Sequence, residues 1–264
     1  MKTSNQRLRF KSLLQERNPG VPFTMDELRS KGISNQLAAY YVNSGWLRRV
    51  GQGLYCFPNE TIEIQGVLSC FQKDVSCLHV ASKTALAWNG VSHNLYHCAQ
   101  SIVWGDKPRA IPAWVCRQFN VRYSCSRLFH FQSEKEDLDT RPLTSQISDA
   151  VSCSCPERAL LEMLYELPSL DVEEVENLFE LVQHPRESVL VVLLHACKSL
   201  KVIRLFAQFS KSSGLFDVEA FYKDHGIHTG SKTSWQVSLG RGKKITVKPL
   251  RNCLDSQKIV KDRT

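Results

Sequence analysis

"YYVNSGWLRRVGQGLYCFP" spans residues 40–58 and sets two adjacent arginines, Arg48 and Arg49, inside an aromatic and aliphatic run. A buried strand does not tolerate paired arginines, and an ordinary solvated loop does not carry Trp46, Leu47, Val50, Leu54, Tyr55 and Phe57 together. Two short strands, "WLRRV" and "LYCF", joined by Gly51-Gln52-Gly53 satisfy both halves of the pattern as a hairpin. Its apolar residues hold it to a core, and its arginines face a negatively charged partner.

Three short helices precede the hairpin. Phe10, Leu13 and Leu14 share one face of a helix from about Asn5 to Glu16, which Asn18-Pro19-Gly20 ends. "TMDE" (24–27) is a capping box that opens a second helix, stopped at Lys31-Gly32. Ser34 caps the next, "NQLAAYYVN", closed by Asn43-Ser44-Gly45. Two brief helices joined at Gly32 read as a helix-turn-helix. In the second of them Leu37, Ala38, Tyr41 and Val42 form a packing side, while Asn35, Gln36, Ala39, Tyr40 and Asn43 fall on the other. Asn and Gln can pair bidentately with adenine edges, so this outer face suits a DNA major groove. The hairpin is then a wing, with Arg48 and Arg49 on phosphates and Gln52 at the tip beside a minor groove. The candidate DNA-binding residues here are Ser34, Asn35, Gln36, Tyr40, Arg48, Arg49 and Gln52. A small packing module, or a protein-docking winged helix, is the plainer reading of the same elements.

The charge distribution favours DNA. The net charge of +8 divides into +6 for residues 1–58, −5 for 59–230 and +7 for 231–264. Basic ends around an acidic middle point to a polyanion at one or both ends. Lys243 and Lys244, in the Lys-rich strand "KKITVKP", are the candidate phosphate contacts of the C-terminal end.

At 264 residues, 42% of them hydrophobic, the chain exceeds one typical domain and can bury a real core. No run reaches the roughly eighteen apolar residues of a membrane span. "MKTSNQRLRFK" lacks the apolar segment of a signal peptide, so a cytoplasmic location is expected. The ten cysteines are scattered through mostly apolar surroundings and read as reduced, buried thiols.

Beyond residue 60, "NETIEIQGVLSCFQKDVSCL" (59–78) connects to a second region. "HVASKTALAWNGVSH" (79–93) reads as a buried helix. "QSIVWG" and "FNVRYSC" read as strands, "CPERALLEMLYELP" (155–168) as a helix with Pro156 in its first turn, and further helices fall at about 171–182, 187–197 and 201–211. The expected fold class is α+β: a winged helix over 1–60 and a mixed α+β domain over 61–264.

Little here argues for catalysis. Cys77, His79, His93, His97 and Cys98 can be drawn as a zinc site, but no Cys-x2-Cys knuckle is present. Arg158 and Glu162 read as an ordinary i,i+4 pair, and Glu157, Glu162 and Glu166 as an unsupported carboxylate set. Asp137 and Asp139 lie in a polar loop. "LGRGKK" (239–244) lacks the P-loop ending, and no Gly-x-Ser-x-Gly elbow occurs. No catalytic residue, metal site or cofactor is expected, and the protein does not read as an enzyme.

Four blocks in order resemble the AbiEi antitoxins of bacterial type IV toxin–antitoxin systems. They are "LRSKGISNQLAAYYVNSGWLRRVGQGLY", "SKTALAWNGVSH", "SCPERALLEMLYELP" and "LLHACKSLKVIRLFAQFSKSSG". The resemblance implies an N-terminal winged helix that binds inverted repeats in its own promoter, double-stranded DNA being the partner. It also implies an autorepressor and an antidote to a nucleotidyltransferase-like toxin, acting without a stable complex. The C-terminal domain would be needed for neutralisation and would add to repression. The competing reading is a winged-helix regulator with a ligand-sensing C-terminal domain and no toxin.

Overall fold

A computed structural model describes residues 2–72, 74–75, 77–92, 100–130, 140–143, 151–231, 233–238 and 244–250. In chain order the first elements are α1 (Lys2–Gln15), β1 (Phe23–Thr24), α2 (Met25–Ser30), α3 (Asn35–Asn43), β2 (Arg48–Gly51), β3 (Leu54–Cys56) and α4 (Ile64–Gln72). They are followed by β4 (His79–Val80), α5 (Ser82–Trp88), β5 (Ser101–Gly105), α6 (Ala113–Gln118), β6 (Val121–Cys125), β7 (Thr140–Leu143) and β8 (Val151–Ser154). The remainder is α7 (Pro156–Tyr165), α8 (Val172–Leu181), α9 (Glu187–Ala196), α10 (Leu200–Ser213), α11 (Val218–Asp224), β9 (Trp235–Ser238) and β10 (Lys244–Val247). The architecture is mixed α+β. It divides into two compact units, one of residues 1–80, 98–126 and 142–153, the other of 81–97, 127–141 and 154–264. The winged-helix residues lie within the first.

In the first unit a three-stranded sheet, β1-β3-β2, closes over α1–α3. β1 is only Phe23–Thr24, paired antiparallel to Leu54–Tyr55, too short to leave a periodic signal. Leu13, Phe23, Leu28, Ile33, Ala38, Tyr41, Leu47 and Phe57 form one core, joined by the half-buried Phe10 and Trp46. Phe10 sits 4.9 Å from Trp46, Trp46 stacks on Tyr41 at 5.4 Å, and Phe57 meets Phe23 edge-on at 5.6 Å. Leu14 is 48% exposed and does not join this face, a correction to the α1 stripe. The segment 59–78, which composition marks as a connector, contains α4. That helix packs against the turn before β1: a Cβ at Gly66 would overlap the Gly20 carbonyl oxygen, and the Cys70 thiol donates to the Pro22 carbonyl at 3.3 Å.

A five-stranded sheet has the order β6-β5-β4-β8-β7. β4 pairs antiparallel with β5 and parallel with β8, and β5 runs parallel to β6 with α6 in the crossover. His79 and Val80 are therefore a strand and not the start of a helix, which begins only at Ser82.

The second unit is built on α7 and α10. α7 has Pro156 in its first turn and is buried on every side: Leu160, Leu161, Met163 and Leu164 are joined inside by Glu157, Arg158 and Glu162. α10 contributes Val202, Leu205, Phe206 and Phe209 and ends at Gly214. Phe179 of α8 meets Phe209 at 5.4 Å. The Arg204 guanidinium donates to the carbonyls of Thr229, Ser231 and Thr233 and lies 4.0 Å from the Trp235 ring, which ties the β9–β10 hairpin's approach to α10. Of the described cysteines, 56, 70, 153, 155 and 197 are buried and Cys116 is half-buried. Cys77 and Cys125 are exposed, contrary to a uniformly buried set.

Candidate nucleic-acid interface

The helix-turn-helix is fixed by its caps. The Thr24 hydroxyl accepts from Glu27 N at 3.1 Å, and the Glu27 carboxylate accepts from Thr24 N at 2.9 Å, a complete capping box. Met25 N donates to Gly53 O at 2.9 Å, which joins the start of α2 to the wing turn. Gly32 takes φ +74° in the turn, and its carbonyl accepts from Arg9 at 2.6 Å. Arg9 is a positioning contact that sequence reasoning missed, because it reaches across 23 residues. The Ser34 hydroxyl accepts from Leu37 N at 3.3 Å and caps α3. Ser34 is thus placed as a cap.

α3 is two-faced as its pattern requires. Ala38 and Tyr41 are buried and Leu37 and Val42 are half-buried, while Asn35, Gln36, Ala39, Tyr40 and Asn43 are all exposed. Tyr40 stands 52% exposed, so a large apolar ring is presented to solvent beside two amides. Asn35 Oδ1 accepts from Arg29 Nε at 3.3 Å, and Arg29 also pairs with Asp26 at 2.8 Å. This chain of contacts holds the Asn35 amide in one orientation at the start of the outer face.

The wing is β2–β3, with Arg48 opposite Cys56, Arg49 opposite Tyr55, and a bulge between Arg49 and Gly51. Neighbours in a strand project to opposite faces, so Arg48 and Arg49 do not form one cationic clamp. Arg48 Nη2 donates to Glu60 O at 2.8 Å. Glu60 is itself buried, accepts from Phe57 N at 3.2 Å and pairs with Arg17. Arg49 Nε donates to Gly51 O at 3.2 Å, and its side chain lies at the surface. Gln52 is exposed in the turn. In the second unit Lys244 is exposed at the start of β10, and Lys243 lies outside the described residues.

The candidates for other chemistry resolve differently. Glu162 is fully buried, and its carboxylate accepts from Ser82 N at 3.0 Å, the Ser154 hydroxyl at 2.8 and 3.0 Å, and Arg158 Nε at 2.8 Å. It is therefore an internal structural anion and not one half of a surface i,i+4 pair. Its ligands come from α5, β8 and α7, so no local pattern announces them. Glu157 takes a bidentate Arg186 guanidinium and the Arg186 N–H at 2.8–2.9 Å. Burial pushes its carboxyl up, but the Arg186 bonds outweigh burial and hold it at about 2. Both carboxylates are engaged by donors. Among the described residues no cluster of three or more His, Cys, Asp or Glu could hold a metal. His93, His97, Cys98, Asp137 and Asp139 lie outside those residues. No helix among the described residues is long and apolar enough to cross a membrane.

A capped helix-turn-helix with an exposed amide-rich face and an arginine-bearing wing defines a winged-helix transcriptional regulator. Residues 6–97 match the family described as the transcriptional regulator AbiEi antitoxin N-terminal domain. Residues 99–248 match the transcriptional regulator AbiEi antitoxin of type IV toxin–antitoxin systems. The chain belongs to the AbiEi antitoxin family. Among curated proteins, none matches. Its fold is similar to that of the RV2827C protein from Mycobacterium tuberculosis, seen in a crystal structure. The two align with a TM-score of 0.59 at 14% identity over 89% of each chain.

Proposed function

We propose that this antitoxin-family regulator binds double-stranded DNA in its own promoter through the winged helix of residues 1–60. There it represses its own operon. The observation that carries the reading is the outer face of α3: five exposed positions, with two amides and Tyr40, on a helix anchored by caps at its start and a packed aromatic core behind it. Asn35 and Gln36 would read base edges, Tyr40 would pack on a base or sugar, and Arg49 and Gln52 would approach the backbone and minor groove from the wing. Arg48 and Lys244 would add phosphate contacts. Residues 61–264 would carry the antidote activity against a nucleotidyltransferase-like toxin, acting in the cytoplasm without a stable complex and without catalysis of its own. Family membership supports that second half, since both matched domains are those of antitoxin regulators.

The full-length Asn35→Ala/Gln36→Ala protein tests the division. It should lose repression of its promoter and still rescue cells in which the toxin is made from an unregulated promoter. Loss of rescue in a correctly folded variant would show that the two activities are not separable in this way.

A further inference from the structure

Within the first unit the wing does not stand alone. Gly51, the last residue of β2, has the Trp114 indole of α6 where its own side chain would be. A Cβ at that position would overlap three carbons of the six-membered ring, so only glycine fits. Trp114 is half-buried, its Nε1 is buried and has no hydrogen-bond partner, and Val115 beside it is completely buried and holds α6 in place. Leaving an indole N–H unpaired costs free energy, so the ring's position is set by packing on Gly51 and not by a hydrogen bond. Gly51 lies at the bulge in the β2–β3 ladder, where the register shifts after Arg49. Its carbonyl is also the acceptor for Arg49 Nε at 3.2 Å. The flat ring therefore sets the height of the Gly51 backbone, and that backbone carbonyl in turn aims the arginine.

We propose that Trp114 is a positioning residue of the DNA interface: it braces the wing at Gly51 and acts on DNA through Arg49. The inference rests on the reading of the wing as a DNA contact. It places one determinant of DNA affinity some sixty residues downstream of the winged helix, in the α6 crossover between β5 and β6.

The test uses full-length protein and a labelled duplex carrying the DNA upstream of its own coding sequence, with affinity measured across a range of salt. Arg49→Ala should weaken binding by about tenfold, the low end for a hydrogen bond to a charged group. It should also flatten the log–log salt slope by about 0.9, one phosphate contact. Trp114→Ala should do the same. A variant that is merely less folded lowers the active fraction without changing that slope, so the slope separates positioning from destabilisation. Trp114→Phe, which keeps an aromatic plane over Gly51, should restore most of the affinity. Combining Trp114→Ala with Arg49→Ala should cost no more than Arg49→Ala alone, because both remove the same contact. If Trp114→Ala does not fold, Trp114→Leu keeps buried bulk without the plane and carries the same expectation. An Arg49→Ala effect with an unchanged slope in the folded Trp114 variants overturns the inference and leaves the wing reading standing. Additive losses in the double variant overturn it as well. No effect of Arg49→Ala overturns the wing contact itself.

Discussion

Glu162 shows what single residues decide in this chain. A carboxylate with no exposure is stable inside because four hydrogen bonds from three donors surround it, one of them the Arg158 guanidinium. Ser82, whose N–H is one of those donors, adopts φ +56°, a left-handed conformation that serine takes only under constraint. Glu162→Ala takes the carboxylate away from a buried guanidinium and two other donors. It should cost roughly 3–5 kcal/mol, read as a lower urea midpoint. A change within 1 kcal/mol would mean that water enters and replaces the carboxylate. Glu157 makes a pH prediction. Its carboxyl lies at about 2, below the ordinary 4.5, so the Arg186 pair contributes fully above about pH 4.5 and is lost as the pH falls toward 2. The shift corresponds to roughly 3 kcal/mol. Glu157→Gln should therefore unfold more readily than the parent at pH 7, with the difference between them shrinking by pH 3. Neither role was legible in the sequence. Both glutamates sit on an apparently amphipathic helix, and the partners that bury its polar face lie 8 to 80 residues away.

Elements with strong punctuation were legible, and those without were not. α2 and α3 carry a capping box, a serine cap and glycine stops, and they form as their signals require. Ser34→Ala removes the α3 cap and should cost about 1 kcal/mol in thermal or urea unfolding. An unaltered melting curve would show that the 3.3 Å contact from Leu37 N contributes nothing. β1 and β4 are two residues each, pinned by neighbours and not by any alternation of their own. The fit of α4 depends on the close approach of Gly66 to Gly20, which sequence spacing does not reveal. The arginines of the wing were legible as a pair but not as individuals. Their opposite projections and the hold of Glu60 on Arg48 appear only once the hairpin is closed. Arg48→Ala should accordingly affect folding stability as well as DNA affinity, whereas Arg49→Ala should affect affinity alone. Comparing urea midpoints of the two variants checks this, and equal midpoints would remove the Glu60 contact from the account.

At the scale of the whole molecule, the basic–acidic–basic map coarsens what the compact units separate. Residues 98–126 carry four Lys/Arg against one acid inside the nominally acidic middle, and they belong to the same unit as the winged helix. Residues 59–80 and 142–153 of the same unit carry −2 and −1, so the unit keeps the +6 of the first 58 residues although its chain extends well into the nominally acidic middle. The antitoxin family and the α+β class were legible because ordered blocks span both matched regions. The interleaving of segments between units was not, because it depends on strand pairings such as Val80 with Cys153. The central claim is that α3 reads bases. Its most direct measurement is the affinity of the full-length Asn35→Ala and Gln36→Ala proteins for duplex from their own promoter and for random duplex of equal length and salt. Each substitution should cost roughly 1–3 kcal/mol on the promoter duplex and far less on the random one. Equal losses on the two duplexes, or none on either, would contradict it.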